Sequence, residues 1–246
     1  MPGARRHFLT GYAWHITHRC HKKEFLLKFA KDRREWVHWL FEAGKRYGFC
    51  VLNYVATSNH VHLLVLDRED REAISRSMQL IAGRTAREFN QRKKRKGAFW
   101  EDRYHATAVE TSHHLFSCLT YIDLNMVRAG AVTHPCEWKF GGYAEMIKDR
   151  ERSLITDFDV LMELSGAESN EAMLRMRSGW IEDALDRGVQ DRQSKWTESV
   201  AVGDKDFVED VKAKLGLRAR GRRISGGKND FTLRETQEAF GGGFDK

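Results

Sequence analysis

Phe49-Cys50-Val51-Leu52-Asn53-Tyr54-Val55-Ala56-Thr57-Ser58-Asn59-His60-Val61-His62-Leu63-Leu64-Val65-Leu66 is the stretch whose reading decides the fold. It holds two runs rich in β-branched and aromatic residues, separated by three polar residues, Thr57-Ser58-Asn59. Runs of that length and composition form strands, and so short a polar break joins them as a β-hairpin. In the second run, side chains two apart share a face, so His60 and His62 project together while Val61, Leu63 and Val65 take the other side.

Working outward, residues 11–17 are aromatic and β-branched and read as a strand. Residues 24–47 place Phe25, Phe29, Trp36, Leu40 and Ala43 on a helical stripe that Gly48 closes. A helix over 73–90 follows the hairpin, then the charge run Arg92-Lys93-Lys94-Arg95-Lys96 ending at Gly97. Residues 104–110 alternate as a fourth strand. Thr111 or Ser112 then caps a helix running through Tyr121 to about Val127, with Gly130 as its stop. The order β-α-β-β-α-β-α predicts an α+β fold, a ferredoxin-like four-stranded antiparallel sheet with helices on a face and one added helix.

Trp138, Phe140 and Gly141-Gly142 read as a strap finishing the first domain, residues 1–148. Residues 149–246 read as a mainly helical and basic C-terminal extension, with helices expected over 168–186 and 206–215. Between Lys212 and Lys228 there are seven basic residues and no acidic one, among them Arg218, Arg220, Arg222 and Arg223. The final Gly241-Gly242-Gly243-Phe244-Asp245-Lys246 carries no pattern of a regular element.

The chain has 246 residues, 41% of them apolar, and a formal charge of +7. That length suffices for a core, and the charge favours an anionic partner, nucleic acid or a membrane surface. No apolar run approaches the ~20 residues of a membrane span, and residues 1–12 are too short and polar for a signal peptide. Cys20, Cys50, Cys118 and Cys136 lie far apart with no Cys-x-x-Cys pair, which suits a reducing cytoplasm and argues against a structural zinc site. His18-Arg19-Cys20-His21 reads as a polar loop after a strand.

Two imidazoles at the spacing of His60 and His62 can ligate one divalent cation, although two polar residues on a solvated strand face explain the pair equally well. Tyr121 and Asn125, four apart, share a helical face. A phenol ionises near pH ~10, so as a nucleophile at neutral pH it needs help. Its natural target is a phosphodiester whose charge a metal offsets. The carbonyl oxygen of Asn125 can complete a mixed N/O ligand set suited to Mg²⁺ or Mn²⁺, with Mn²⁺ the better match to imidazole. None of Tyr12, Tyr47, Tyr54 and Tyr104 combines helical placement with a polar partner four residues on. His113-His114, at a helix start, reads as a surface or capping pair rather than a ligand.

Five segments carry a family resemblance: Gly11-Tyr12-Ala13-Trp14-His15-Ile16-Thr17; Asn59-His60-Val61-His62-Leu63-Leu64-Val65; Ser75-x-x-Met78-Gln79-x-x-x-x-Arg84-x-Ala86-x-x-Phe89-Asn90; Phe99-Trp100-Glu101-Asp102-Arg103-Tyr104-His105-Ala106; and Tyr121-Ile122-Asp123-Leu124-Asn125-Met126-Val127-Arg128-Ala129-Gly130. In this order the chain resembles the HUH single-tyrosine transposases, in particular the REP-associated tyrosine transposase branch, over residues 5–147. The resemblance implies a ferredoxin-like fold. It implies His60 and His62 as metal ligands, Asn125 as a polar residue assisting the metal, and Tyr121 as the nucleophile that keeps a 5′-phosphotyrosyl link and releases a 3′-OH. Thr57-Ser58 stands where that family usually has Met-Pro, which is expected to loosen the turn. Met126 stands where proline is usual, which removes a helix-ending constraint after Asn125.

The expected partner is single-stranded DNA bearing hairpins or REP-like elements, handled by a monomer or homodimer. Arg84, Arg87, the Arg92 to Lys96 run and Arg103 would neutralise phosphates beside the aromatic Phe99, Trp100 and Tyr104; a solvated loop is the competing reading of the run. Arg218 to Arg223 are a second candidate clamp. Two rival functions remain at this level: a nuclease that activates water at the same histidines, and a DNA-binding repressor on a degenerate core.

Overall fold

In a computed structural model the protein is described over residues 9–68, 70, 72–147, 155–189 and 192–235. The glycine-rich stretch 241–246 and the first residues of the chain lie outside these. The hairpin forms as the sequence predicts, β2 (Cys50–Ala56) against β3 (His60–Leu66). β3 also pairs antiparallel with β1 (Ala13–Arg19), in a register that sets Thr17 opposite His62 and Arg19 opposite His60. β1 pairs in turn with β4 (His105–Val109).

The sheet does not stop at four strands. β5 (Ala201–Gly203) lies parallel to β4, and β7 (Asp230–Glu235) and β6 (Arg222–Gly227) follow, giving the seven-stranded order β2-β3-β1-β4-β5-β7-β6 among the described residues. The expectation of a four-stranded sheet is therefore corrected: the C-terminal extension adds three strands alongside its helices. The open edge of β4 is a row of backbone donors and acceptors that needs a partner or a cover, and the C-terminal residues supply one. Ala108 and Glu110 donate their N–H groups to the carbonyls of Val200 and Val202, at 2.8 and 3.0 Å.

Helices cover both faces. α1 (Ala30–Tyr47) and α2 (Ala73–Arg92) bury Trp36, Leu40, Ile74, Met78 and Ile81 against Ile16, Val61, Leu63 and Val65. α3 (His113–Asp123) packs on the opposite face with Leu64 and Leu52, where α6 (Phe158–Ser165) and α7 (Asn170–Asp186) join it through Val160, Leu161 and Met173. The short α4 (Asn125–Arg128), α5 (Gly142–Ile147) and α8 (Lys195–Glu198) fill the spaces between, and α9 (Lys205–Leu215) covers β5 and β7.

Two helix expectations need correction. α1 begins at Ala30 rather than near residue 24, because His21 to Lys23 form a 3-10 turn with positive φ at Lys22 and Lys23. Phe25 and Phe29 are consequently 66% and 58% exposed, not part of the buried stripe. The helix expected to run to Val127 breaks at Leu124 (φ −77°, ψ 3°), so Tyr121 lies in the last turn of one helix and Asn125 opens the next. Met126 is buried in the core beside α3.

One buried ion pair ties these layers together. Arg177 of α7 donates from Nε and Nη2 to the two carboxylate oxygens of Asp123 at the end of α3, at 2.8 and 2.7 Å. Asn53 of β2 donates to the same carboxylate at 2.8 Å. Gly142 has to pass this point without a side chain, since a Cβ there would stand 2.4 Å from the Asn53 amide oxygen. Removing one partner of a buried pair strands the other charge, at a typical cost of about 3–5 kcal/mol. Arg177→Leu is therefore expected to lose stability on that scale in urea denaturation; a loss under ~1 kcal/mol, the scale of exposed pairs, would show that Asp123 is held otherwise.

Candidate active site

The strand pleat puts His60 and His62 on the face of β3 that looks toward α3, with Leu64. Each imidazole is held by its Nδ1. His60 Nδ1 lies 2.7 Å from Asn59 Oδ1, and the Asn59 amide is itself oriented by donating through Nδ2 to the Lys23 carbonyl. An amide oxygen only accepts, so the proton of His60 sits on Nδ1 and Nε2 keeps its lone pair. Thr57 closes the turn instead of loosening it: its hydroxyl donates to the His60 carbonyl at 2.8 Å and accepts from the His60 N–H at 3.1 Å.

His62 Nδ1 lies 2.8 Å from His15 Nε2, with the two ring planes within 7° of each other and their centroids 5.1 Å apart. His62 Nε2 lies 3.0 Å from Asn125 Nδ2. Tyr121 stands edge-on to His62, with ring centroids 6.0 Å apart. The break at Leu124 thus still brings Tyr121, Asn125 and both histidines to one place. Arg128, one turn on, lays its guanidinium over the Tyr121 ring at 4.1 Å and donates to the Tyr121 carbonyl, satisfying one of the carbonyls left free at a helix end.

Burial dominates the electrostatics. It pushes His60 down to about 4, with the cations Arg19, Arg192 and Arg128 adding to the shift, and pushes His62 well below the ordinary imidazole value. Both rings are neutral at physiological pH, the form that binds metals. Burial raises the Tyr121 phenol above its ordinary value, opposed by Arg128 and Arg192. These groups line a cavity of about 460 Å³ whose described walls include Arg19, Arg103, Arg128 and Arg192. A second cavity of about 450 Å³ shares Tyr121 and Arg128 with it and reaches Trp180 and Lys195.

Residues 9–125 match the sequence profile of the family described as IS200-like transposase. That stretch, just under half of the chain, is similar to this transposase family. No curated protein matches it. Among solved structures, a REP-associated tyrosine transposase bound to a REP hairpin is similar at 19% identity and a TM-score of 0.50, covering 64% of this chain and 95% of its own. A protein assigned as a transposase from Deinococcus radiodurans R1 gives 16% identity and a TM-score of 0.35, covering 49% of this chain and 95% of its own.

Of the basic residues expected to hold DNA, Arg103 lines this cavity and the others do not. Arg84, Arg87 and the 92–96 run travel with α2 on the opposite face. Arg84 lies over the Trp39 ring, Arg92 pairs with Asp32 and Arg95 with Glu24, while Arg87, Lys93, Lys94 and Lys96 are exposed. Arg218 to Arg223 are not one loop: they run from a 3-10 turn into β6 at the far edge of the sheet, where Arg222 pairs with Glu235. The cavity instead takes Arg19, Arg128 and Arg192, none of them singled out from sequence. Arg19 could have been found from the alternation of His15, Thr17 and Arg19 with Trp14, Ile16 and His18. Arg192 comes from the C-terminal region and had no local signal.

The described helices include none long and apolar enough to cross a membrane. Burial also pushes His15 down, to about 3. With all three rings held below the 6.5 of an exposed imidazole, the unfolded chain binds more protons than the folded one from pH 6.5 down to about 4. Stability is therefore fully present above 6.5 and falls as the pH drops through that window. The slope is at most about 1.4 kcal/mol per pH unit for each histidine. Urea midpoints measured on either side of pH 6.5 should be flat above it and decline below it; a midpoint that rises on acidification would contradict the neutral buried rings.

Proposed function

We propose that this protein is a transposase that cleaves and rejoins single-stranded DNA bearing hairpins, with Tyr121 as nucleophile and a divalent metal held by His60, His62 and Asn125. The observation that carries the reading is the convergence of two neutral, Nδ1-anchored imidazoles and a tyrosine on one arginine-lined cavity. The donor chemistry fits a metal. The His60 Nε2 lone pair is uncommitted, and that of His62 accepts from the Asn125 amide N–H; turning that amide over would free the lone pair and present the Asn125 oxygen as a third ligand. Among the described residues no group of three His, Cys, Asp or Glu side chains offers an alternative. Mixed imidazole and oxygen ligation suits Mn²⁺ or Mg²⁺, and such an ion, when bound, would polarise a non-bridging phosphate oxygen.

The chain's own residues account for the rest. The Tyr121 oxygen would bond to phosphorus as the bond from phosphorus to the 3′-oxygen breaks. The phenol would lose its proton and the departing strand would take one up, leaving a 5′-phosphotyrosyl link and a free 3′-OH. Attack by a 3′-OH on that link would reverse the step and join strands. Arg128 and Arg192 favour the phenolate against the burial that opposes it, and with Arg19 and Arg103 they place cations where a phosphodiester would lie. The similar REP-associated transposase carries a REP hairpin, which supports a hairpin substrate here. Residues 1–148 would then be the catalytic domain, and 149–246 would contact DNA, through Arg192 at the cavity and Arg218 to Arg223 at the sheet edge.

Incubated with hairpin-bearing single-stranded oligonucleotides and Mn²⁺, the protein should give a denaturation-resistant DNA adduct that Tyr121→Phe abolishes while hairpin affinity persists. Cleavage without any adduct, undiminished in the variant, would mean that water is the nucleophile. In binding titrations across salt concentrations, Arg192→Ala should reduce the slope of log K against log salt by about 1. Arg84→Ala, on the opposite face, should leave it unchanged; equal effects of the two would remove the cavity from the DNA path.

A further inference from the structure

Behind the two candidate ligands lies a third histidine that no part of the proposed chemistry uses. His15 of β1 is fully buried. Its Nδ1 lies 2.8 Å from the carbonyl of Trp196 and its Nε2 lies 2.8 Å from His62 Nδ1. A carbonyl can only accept, so His15 Nδ1 carries a proton and donates it. The described surroundings place no carboxylate against His15, and an uncompensated buried cation is costly, so the ring carries no second proton and its Nε2 is an acceptor. His62 Nδ1 must then donate to it. That leaves the His62 lone pair on Nε2, the atom facing Asn125 and the cavity.

We infer that His15 is a positioning residue that fixes the tautomer and ring orientation of His62, tying a metal ligand on β3 to the backbone of the C-terminal region at Trp196. The anchor is itself immobilised. Trp196 is fully buried, its indole N–H donates to Gln193 Oε1 at 2.8 Å, and its backbone N–H donates to the Gln193 carbonyl at 3.2 Å. A ligand imidazole whose far nitrogen is held this way binds metal more tightly than a free one, and losing the outer partner typically costs ~10–100-fold in affinity.

The inference rests on the reading of His62 as a ligand, and the test separates the two. Mn²⁺ is titrated into the full chain, with the free aqueous ion followed by electron paramagnetic resonance, for wild type, His62→Ala, His15→Leu and His15→Gln. His15→Leu should weaken Mn²⁺ binding ~10–100-fold while hairpin binding in chelator stays at the wild-type level. His15→Gln, which restores an acceptor for His62 and a donor for the carbonyl, should recover most of the loss. Wild-type Mn²⁺ affinity in His15→Leu, or Gln no better than Leu, would overturn the positioning role. Wild type binding no more tightly than His62→Ala would instead sink the metal reading. Nitrogen-15 spectra of histidine-labelled wild-type protein test the hydrogen-bond chain without any variant: protons on Nδ1 of both His15 and His62 are expected, and a His62 proton on Nε2 overturns it.

Discussion

The carboxylate of Asp123 is the point on which the architecture turns. It receives Arg177 from α7 and Asn53 from β2 while standing two residues after Tyr121. Buried charges persist only where geometry and hydrogen bonds offset their desolvation, so this contact admits one arrangement of helix, strand and C-terminal layer. Through it the orientation of α3, and with it the placement of Tyr121 beside His62, depends on a helix some fifty residues further along the chain. The C-terminal region is thus not an accessory laid beside a finished domain. It shares both hydrophobic cores, extends the sheet and lines the cavity through Arg192.

Much of the first half was legible because its signals are local. The period-two pattern of residues 50–66 gave the hairpin and the shared face of His60 and His62, and Gly48, with φ 62°, closes α1 where expected. Ser112 caps α3 by accepting from the His114 N–H. What escaped depended on distant partners. β5 is three residues long and exists because β4 has an open edge. β6 is mostly exposed, so its arginines read as a charge run rather than a strand, although Phe231 and Leu233 in β7 do alternate. The apolar spacing of Phe25 and Phe29 matched a helix that the turn at Lys22 and Lys23 prevents.

The candidate site shows the same division. Tyr121, His60, His62 and Asn125 lie close in sequence to strong patterns, and the fold brings them together. The cations around them do not cluster in sequence at all. Charge runs such as 92–96 drew the eye because they are contiguous, yet two of their members are committed to Asp32 and Glu24. Arginines separated by up to 173 positions, Arg19 to Arg192, meet across the cavity instead. Proximity in space follows from strand register, which composition cannot convey.

The parallel contact of β4 with β5 has a consequence for when the protein comes to exist as an enzyme. Parallel, far-separated pairings form late because a long loop must close first. As the chain leaves the ribosome, β1 to β4 and α1 to α3 can condense while the flank of β4 is still bare and the carbonyl of Trp196 has yet to be made. A fragment at that stage would carry Tyr121 and both histidines without the contacts that hold them in register. A complete site therefore waits on the synthesis of residues 192–203, which bring Arg192, the Trp196 carbonyl and β5.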